Sequence, residues 1–317
     1  MTGLLDVPRV RLGIFPTPLH PAPRLSDAIG VEVWFKRDDL TGLGLGGNKV
    51  RGLEYLVADA AGSGCDCLVT GGGPQSNWAM LAALAARTRG IDPVLVTYGP
   101  PVEPTGNLAL AVLAGAAVQF TGDDDRASVD RGVDAVCARL VAGGRKPYGV
   151  GRGGATGVGA LGYVAAGLEL GDQLHQLDLR PRELWLPTGS GGTQAGLAAA
   201  RSWLRPPYEV VGVTVSRPAD ESRRRVRDIA DDAAQIIGTP PQDWPPRIVD
   251  GFLGPAKGHR SSEGDAAAAL VARTEGVLLD PVFGAKAMAG LLAAVRAGRV
   301  EGPVVFLVTG GAPTLFA

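Results

Sequence analysis

A glycine-rich turn between an apolar run and a helical run is the clearest ligand-binding pattern in the sequence. Thr188-Gly189-Ser190-Gly191-Gly192-Thr193 follows the apolar run 183–186 and precedes an alanine-rich run with helical character. Backbone amides at a helix N-terminus bind anions, and glycines let the backbone approach the ligand closely. The hydroxyls of Ser190 and Thr193 can add donors without adding net charge. This pattern predicts a binding site for a phosphate group.

The residues around this turn narrow the kind of phosphate. A P-loop would require Gly-Lys-Ser/Thr, and a dinucleotide fingerprint would require glycine where Gln194 stands. The next predicted strand ends at Ser216-Arg217, without an acidic residue that could hold a ribose hydroxyl. A terminal monophosphate, such as that of pyridoxal phosphate, therefore fits better than a nucleotide.

A lysine follows a second glycine-rich bend, in the sequence Gly46-Gly47-Asn48-Lys49, and a helix-like run over 51–61 comes next. A lysine that forms a Schiff base must be unprotonated to attack an aldehyde, and burial or a neighbouring cation lowers its pKa. Most lysines are solvated surface charges. The role of Lys49 therefore depends on the motifs that accompany it.

Short apolar runs alternate with helical patterns along the chain, which predicts an α/β fold with mainly parallel strands. The predicted strands are 67–70, 93–97, 183–186, 210–215 and 304–308. The predicted helices are 75–87, 106–113, 126–140, 161–174, 193–204 and 286–297. Three strands end in glycine-rich turns, which begin at Thr70, Thr188 and Thr309. Because ligands gather at the carboxyl ends of parallel strands, these turns should surround one site.

The composition predicts a globular enzyme for a small molecule. With 317 residues the chain is long enough for two domains, and 31 basic against 32 acidic residues provide no basic field for nucleic acid or an acidic membrane. The first residues lack a signal-peptide pattern, and no apolar run approaches the roughly 18 residues of a membrane span. The histidines and cysteines have no metal-site spacing. We expect a cytoplasmic protein without metal, nucleic-acid or membrane partners.

The segment 36–54, which includes Gly46-Gly47-Asn48-Lys49-Val50-Arg51, resembles the lysine region of the D-cysteine desulfhydrase and aminocyclopropane-carboxylate deaminase family of pyridoxal-phosphate-dependent enzymes. The resemblance continues through 72–77, 153–163, 191–196, 280–288 and 309–311. It implies the type II fold, related to the tryptophan synthase β subunit, in which each of two domains is a mainly parallel open sheet flanked by helices. It also implies a large domain of residues 1–52 and 160–317, a small domain of residues 53–159, and a homodimer.

The same resemblance implies roles for individual residues. Lys49 would hold pyridoxal phosphate as an internal Schiff base and move the substrate α-proton, while Asn77 would contact the phenolic oxygen of the cofactor. Ser76 would contact substrate or act as base or nucleophile. Thr309 would face the pyridine nitrogen, where a hydroxyl leaves the ring largely neutral and favours β-elimination or β-replacement. The complete predicted cofactor-binding set is Asn48, Lys49, Asn77, Thr188, Gly189, Ser190, Gly191, Gly192, Thr193 and Thr309.

Several positions depart from the family pattern on the substrate side. Trp78 stands where the family commonly has histidine, and Phe283 and Lys257 stand where family members usually have active-site tyrosines. A general acid or base contributes about 10²–10⁴-fold, so the loss of these hydroxyls should impair the reactions for which the family is named. Lys257 is open to interpretation as an acid/base group, a carboxylate anchor or a solvated lysine. The predicted substrate-binding set is Ser76, Asn77, Trp78, Lys257 and Phe283.

The sequence favours a pyridoxal-phosphate-dependent carbon–heteroatom lyase or β-replacement enzyme that acts on a small amino acid. An amino-acid racemase is an alternative, with Lys49 and Ser76 on opposite faces of Cα. Another is a catalytically reduced protein that binds the cofactor and amino acids. Arg152, Arg217 and Arg260 are candidates for binding a substrate carboxylate.

Overall fold

The computed structural model describes residues 3–241, 245–254 and 258–316, and its described strands form two separate sheets. The larger sheet has the order β1-β2-β10-β7-β8-β9. Its strands are β1 (Leu19–Pro21), β2 (Val33–Arg37), β7 (Glu183–Thr188), β8 (Glu209–Thr214), β9 (Arg247–Val249) and β10 (Val304–Val308). All neighbouring strands are parallel except β1 and β2.

The smaller sheet is parallel throughout and has the order β5-β4-β3-β6. Its strands are β3 (Cys67–Gly72), β4 (Asp92–Thr97), β5 (Ala117–Phe120) and β6 (Pro147–Gly149). All four lie inside the predicted small domain, 53–159. The predicted boundaries themselves fall within two helices, 49–62 and 157–176, and they remain a prediction.

Ten α-helices flank the two sheets in the described part of the chain. They are α1 (Pro23–Ile29), α2 (Lys49–Gly62), α3 (Asn77–Arg87), α4 (Gly106–Leu113), α5 (Ser128–Ala142), α6 (Gly157–Gln176), α7 (Gly192–Leu204), α8 (Ala219–Ile237), α9 (Ser262–Glu275) and α10 (Gly284–Arg296). None of these helices is long and apolar enough to cross a membrane.

The apolar cores follow the two-residue period of the strands. In β10, Phe306 packs in the core that includes α9 and α10, whereas Val305 and Leu307 pack on the opposite face with α6 and α7. Neighbouring side chains of a strand point to opposite faces, so both faces of the larger sheet are covered. The predicted α/β fold with mainly parallel strands is confirmed.

The predicted strands and helices are all present, and most differ from the observed bounds by a few residues. Helices α1, α8 and α9 were not predicted. Helix α8 was missed because its sequence is rich in charged residues. Its buried residues, including Val226, Ile229, Ala233 and Ile237, recur at three- and four-residue spacing and form a narrow apolar stripe.

Candidate active site

One cavity of about 600 Å³ lies where the carboxyl ends of strands from both sheets meet. Its wall includes residues that follow β3, β4 and β6 of the smaller sheet and β7, β8 and β10 of the larger one. The structure thus brings the three predicted turns together around one space. The predicted residues in this wall are Asn48, Lys49, Ser76, Asn77, Trp78, Thr188, Gly189, Ser190, Gly191, Thr193, Phe283 and Thr309. Gly192 lies beside them at the start of α7, and Lys257 lies outside the described residues.

The phosphate turn has the geometry of an anion site. Gly191 has φ +97°, a left-handed conformation that glycine adopts readily, and α7 begins at the next residue. The amide N–H groups of Gly191, Gly192 and Thr193 have no acceptor among the described residues. Unpaired amides at a helix N-terminus carry partial positive charge, so they can donate together to a phosphate.

The hydroxyls of this turn have different surroundings. Thr188 is buried, and its hydroxyl donates to Gln194 Oε1 over 2.6 Å. This bond joins the end of β7 to the first turn of α7. The Thr193 oxygen accepts from Asn48 Nδ2 over 2.9 Å, so the Thr193 proton remains available for a ligand. Asn48, which directly precedes Lys49, thereby connects the phosphate turn to the start of α2.

Lys49 is the first residue of α2, and its amine lies inside the cavity wall. Part of the side chain is open to the cavity, but the amine is enclosed by protein, and this burial lowers its pKa from the ordinary 10.5 to about 8. Among the described residues, its hydrogen-bond partner is the Ser190 hydroxyl at 3.5 Å, with no carboxylate in an ion pair. The amine is therefore available as a nucleophile near neutral pH.

The start of α2 is fixed by very close packing against α6. A methyl group on Gly52 would lie 2.7 Å from the carbonyl oxygen of Gly159, and one on Gly162 would lie 2.2 Å from the carbonyl carbon of Arg51. Both distances are too short for any side chain. The two helix backbones thus touch within one turn of Lys49.

Ser76 and Asn77 begin α3 on the side of the cavity formed by the smaller sheet. Ser76 caps the helix, because its Oγ accepts from the Ala79 amide over 3.2 Å. Asn77 Oδ1 accepts from Asn107 Nδ2 over 2.7 Å. The Asn77 nitrogen lies near the turn after β10, since a methyl group on Gly311 would be 2.8 Å from it. Asn77 is thus beside the turn that contains Thr309.

Trp78 and Phe283 supply apolar walls. Trp78 is 4% exposed, and its Nε1 donates to the Thr70 hydroxyl over 2.8 Å. Its ring leaves no space for a side chain on Gly154, so Trp78 both packs the interior and lines the cavity. Phe283 lies against Gly189 of the phosphate turn, where a methyl group would be 3.2 Å from its ring.

The charged side chains of the cavity wall are basic. Arg126, Arg152, Arg217 and Arg260 line it together with Lys49, and no aspartate or glutamate does so within the described ranges. The acidic partners of Arg152, Arg217 and Arg260 lie outside the wall, at distances of 2.7, 2.8 and 3.1 Å. An anionic ligand is therefore favoured over a cationic one.

Sequence reasoning missed Arg225, which supports the phosphate turn from α8. Arg225 Nε donates to the Ser190 carbonyl over 2.8 Å, and Arg217 Nη1 donates to the Gly189 carbonyl over 2.7 Å. These bonds fix the orientation of both carbonyls in the turn. No local sequence signal marks Arg225, because its role depends on a contact 35 residues away. No group of three or more histidine, cysteine, aspartate or glutamate residues in the described chain could hold a metal ion.

Comparison with known proteins identifies the kind of protein that has this cavity. Residues 10–310 match the family model described as pyridoxal-phosphate dependent enzyme. The chain belongs to this family. The predicted cofactor, pyridoxal phosphate, is therefore confirmed.

Individual relatives of this pyridoxal-phosphate-dependent enzyme agree with the family match. A D-cysteine desulfhydrase of Yersinia enterocolitica is 40% identical over 322 residues, which cover 99% of this chain and 97% of the relative. A solved structure described as an ACC deaminase homologue superposes with a TM-score of 0.92 at 35% identity, covering 98% of this chain and 94% of the other. A threonine deaminase from Solanum lycopersicum superposes with a TM-score of 0.71 at 19% identity, covering 97% of this chain and 87% of the other, and shows the shared fold alone.

These matches confirm the predicted type II fold and the predicted class, a pyridoxal-phosphate-dependent lyase, and they do not favour the racemase or binding-protein alternatives. The residues present fit the cofactor of this enzyme family. The cavity combines an enclosed lysine amine of lowered pKa with three unpaired amides that can donate hydrogen bonds to a phosphate. Its volume of about 600 Å³ is in the range of sites that enclose a small ligand.

Proposed function

We propose that this protein cleaves a leaving group from Cβ of a small polar amino acid, with Lys49 as the residue that binds the cofactor and moves the α-proton. The observation that carries the proposal is the Lys49 amine, which is enclosed, has a pKa lowered to about 8 by burial, and lies beside the unpaired amides of the phosphate turn. The names of the relatives, a desulfhydrase and an ACC deaminase homologue, support a lyase reaction on a small amino acid.

When bound, pyridoxal phosphate withdraws electrons from the substrate Cα and so weakens the bonds to that atom. The phosphate turn, Gly191 to Thr193, would hold the phosphate through neutral backbone donors. Asn48 would keep the Thr193 hydroxyl oriented toward it, and Asn77 would donate to the phenolic oxygen. Thr309 would offer a hydroxyl to the ring nitrogen from the turn after β10.

Proton movement would be the task of Lys49. Its amine would accept the α-proton of a substrate held in the cavity, because a pKa near 8 leaves about one tenth of the amine unprotonated at neutral pH. Ser76 lines the same cavity and would contact the substrate carboxylate with its hydroxyl proton, since its oxygen already caps α3. The basic wall would attract the carboxylate.

The substrate is expected to differ from those of the named relatives. Phe283 has no hydroxyl to assist a departing group, and the Trp78 N–H donates to Thr70 in the interior rather than into the cavity. Leaving groups that depart without protonation by these two side chains are therefore favoured over those that need such assistance.

Two experiments test the proposal. In the first, the protein is loaded with pyridoxal phosphate, reduced with borohydride and digested, and mass spectrometry should find the cofactor on the peptide that contains Lys49. In the second, β-substituted D- and L-amino acids are screened for release of ammonia and the corresponding 2-oxo acid. Attachment at another lysine, or Cα deuterium exchange without loss of the β-substituent for every compound, would contradict the proposal.

We also propose that the enzyme is a cytoplasmic homodimer. Ile14, Leu40 and Leu45 support the dimer, because these exposed apolar side chains occur on and beside the segment that leads to Lys49. Light scattering after size-exclusion chromatography should give twice the mass of the 32.5 kDa chain. Replacing Leu45 with aspartate should shift that mass toward the monomer, and an unchanged mass would exclude this surface.

A further inference from the structure

We propose that Asn107 is a positioning residue that holds the Asn77 side-chain amide with its NH₂ group directed toward the cofactor. The inference rests on the proposed function, in which Asn77 meets the phenolic oxygen of pyridoxal phosphate. It adds a residue outside the cavity wall that decides whether Asn77 presents a donor or an acceptor there.

The hydrogen bonds of Asn107 determine its own orientation. Asn107 Nδ2 lies 3.1 Å from the backbone carbonyl oxygen of Gln75. A carbonyl oxygen can only accept, so the Asn107 side chain must present its nitrogen on this side. The orientation of Asn107 is therefore set by a backbone group that cannot reverse its role.

The orientation of Asn77 follows from that of Asn107. The same Asn107 nitrogen lies 2.7 Å from the Asn77 side chain, which must offer its oxygen at that point. With Oδ1 held by Asn107, the Asn77 NH₂ group is left on the other side, near Gly311 and the turn that contains Thr309. A free donor thus faces the cavity.

Asn107 is itself held rigidly. It is 1% exposed at the start of α4, and its backbone N–H donates to Gln75 Oε1 over 2.9 Å. The Gln75 amide then donates to the Thr105 carbonyl over 3.1 Å. This arrangement connects Gln75, the residue before Ser76, to the first turn of α4, and rotation of the Asn107 side chain would break both of its Nδ2 bonds.

The Asn107 oxygen indicates that packing alone does not explain this residue. Oδ1 is buried and has no hydrogen-bond partner among the described residues. An unsatisfied buried acceptor is unfavourable, and an apolar side chain of similar shape would avoid it. The two bonds made by Nδ2 are the feature that such a side chain would lose.

A donor at the phenolic oxygen has a measurable effect on the Schiff base between Lys49 and the cofactor. A hydrogen bond to the ionised oxygen stabilises that charge without help from a protonated neighbouring nitrogen. The pKa of the Schiff-base nitrogen is lowered as a result. If Asn77 presented its oxygen instead, the ionised oxygen would lose this support and that pKa would rise.

The test compares the pH dependence of the visible absorption band in cofactor-loaded native protein, Asn107→Leu and Asn107→Asp. Both substitutions remove the donor to Asn77, and Asn107→Asp additionally favours a reversed Asn77 amide. The pH midpoint of the band should rise by about one unit or more in each variant. Using two variants of different polarity keeps the test valid when one of them does not fold.

Thr105→Val is the matched control. It removes the exposed hydroxyl that accepts from Gln75 over 3.2 Å, while leaving both Asn107 Nδ2 bonds in place, so its midpoint should equal that of the native protein. A native midpoint in folded Asn107→Leu or Asn107→Asp would overturn the positioning role while leaving the proposed function intact. Absence of a Schiff-base band in the native protein itself would overturn both. A rise of the midpoint in Thr105→Val equal to that in the Asn107 variants would also overturn the role, since it would assign the effect to general loosening.

Discussion

Two lysines, thirteen positions apart, show how their surroundings decide what a cation removed from solvent can do. Lys36 in β2 donates to the Thr17 carbonyl over 2.8 Å and to Gln173 Oε1 over 2.7 Å, and it forms an ion pair with Glu169. Lys49 has a hydroxyl at 3.5 Å and no ion pair among the described residues. Burial lowers the pKa of both, but at Lys36 Glu169 and Asp38 oppose the shift.

The region around Lys36 is a closed network of charges. Arg51 binds Asp38 with Nε over 2.8 Å and Glu169 with Nη2 over 2.9 Å, and Tyr163 donates to Asp38. Burial raises the pKa of Asp38, but Arg51, Lys36 and the hydrogen bond from Tyr163 together outweigh this effect, and the net pKa is lowered. Every charge is matched, so the network anchors structure. Lys49 differs because its amine has no ion-pair partner among the described residues, which leaves it available to react.

The largest expected effect is the loss of activity when Lys49 is replaced, compared with replacement of the structural residue Lys36. Lys49→Ala should remove the visible Schiff-base band and reduce lyase activity by at least about 10³-fold, because both the covalent attachment and the proton carrier are lost. Spectroscopy and an ammonia-release assay measure this. Lys36→Met should retain the band in the fraction that folds. Retention of the band by Lys49→Ala would break the contrast between the two lysines.

Removing a member of the closed network should affect stability instead. Arg51→Met leaves Asp38 and Glu169 without their main cation, and breaking a buried ion pair of this kind lowers the free energy of unfolding by about 3–5 kcal/mol. Urea denaturation of the cofactor-free protein measures the loss. Arg182→Met is a suitable control, because its pair with Glu301 is exposed and should contribute less than about 1 kcal/mol. Equal effects would show that the network is not specially stabilising.

The pH dependence of cofactor capture tests Lys49 directly. Below the pKa of Lys49, the rate of capture should fall by about tenfold per pH unit. The protonated amine cannot attack an aldehyde, so capture of pyridoxal phosphate by the cofactor-free protein should slow as the pH falls through about 8, the pKa that burial gives Lys49. An amine of ordinary pKa would slow already below 10.5. Stopped-flow absorbance across this range locates the midpoint, and a value near 10.5 would contradict enclosure of the amine.

The smallest effect concerns Ser190, the hydrogen-bond partner of the Lys49 amine in the described part of the chain. Ser190→Ala removes a hydroxyl at 3.5 Å, a distance at which a hydrogen bond is weak, so the midpoint for capture should move by less than about 0.5 units. The same stopped-flow series measures it at saturating cofactor. A larger movement would assign the low pKa to Ser190 rather than to burial.

The sequence was informative where function depends on a contiguous segment. The phosphate turn was predicted because a strand, glycines and a helix follow one another directly, and the structure places α7 at Gly192 as that order requires. Lys49 at the start of a helix was predicted in the same way, with the help of a family resemblance.

Contacts between distant segments were not predictable from the sequence. Arg225 reaches the phosphate turn across 35 residues, and Asn107 reaches Asn77 across 30. Each is a common polar residue without a local motif, and its partner is defined only after the sheets assemble. The charged sequence of α8 also concealed its apolar stripe. The roles assigned to Ser76, Trp78 and Phe283 remain predictions, and Lys257 is outside the described residues.

The contact between α2 and α6 has a consequence for mutational tolerance. Neither Gly52 nor Gly162 is in the cavity wall, yet each lies where even alanine would overlap backbone atoms of the other helix. In a saturation library selected for enzyme activity, these two codons should therefore be depleted as strongly as the codon for Lys49. Selection would score them as essential although they perform no chemistry, because they set the position from which the lysine acts.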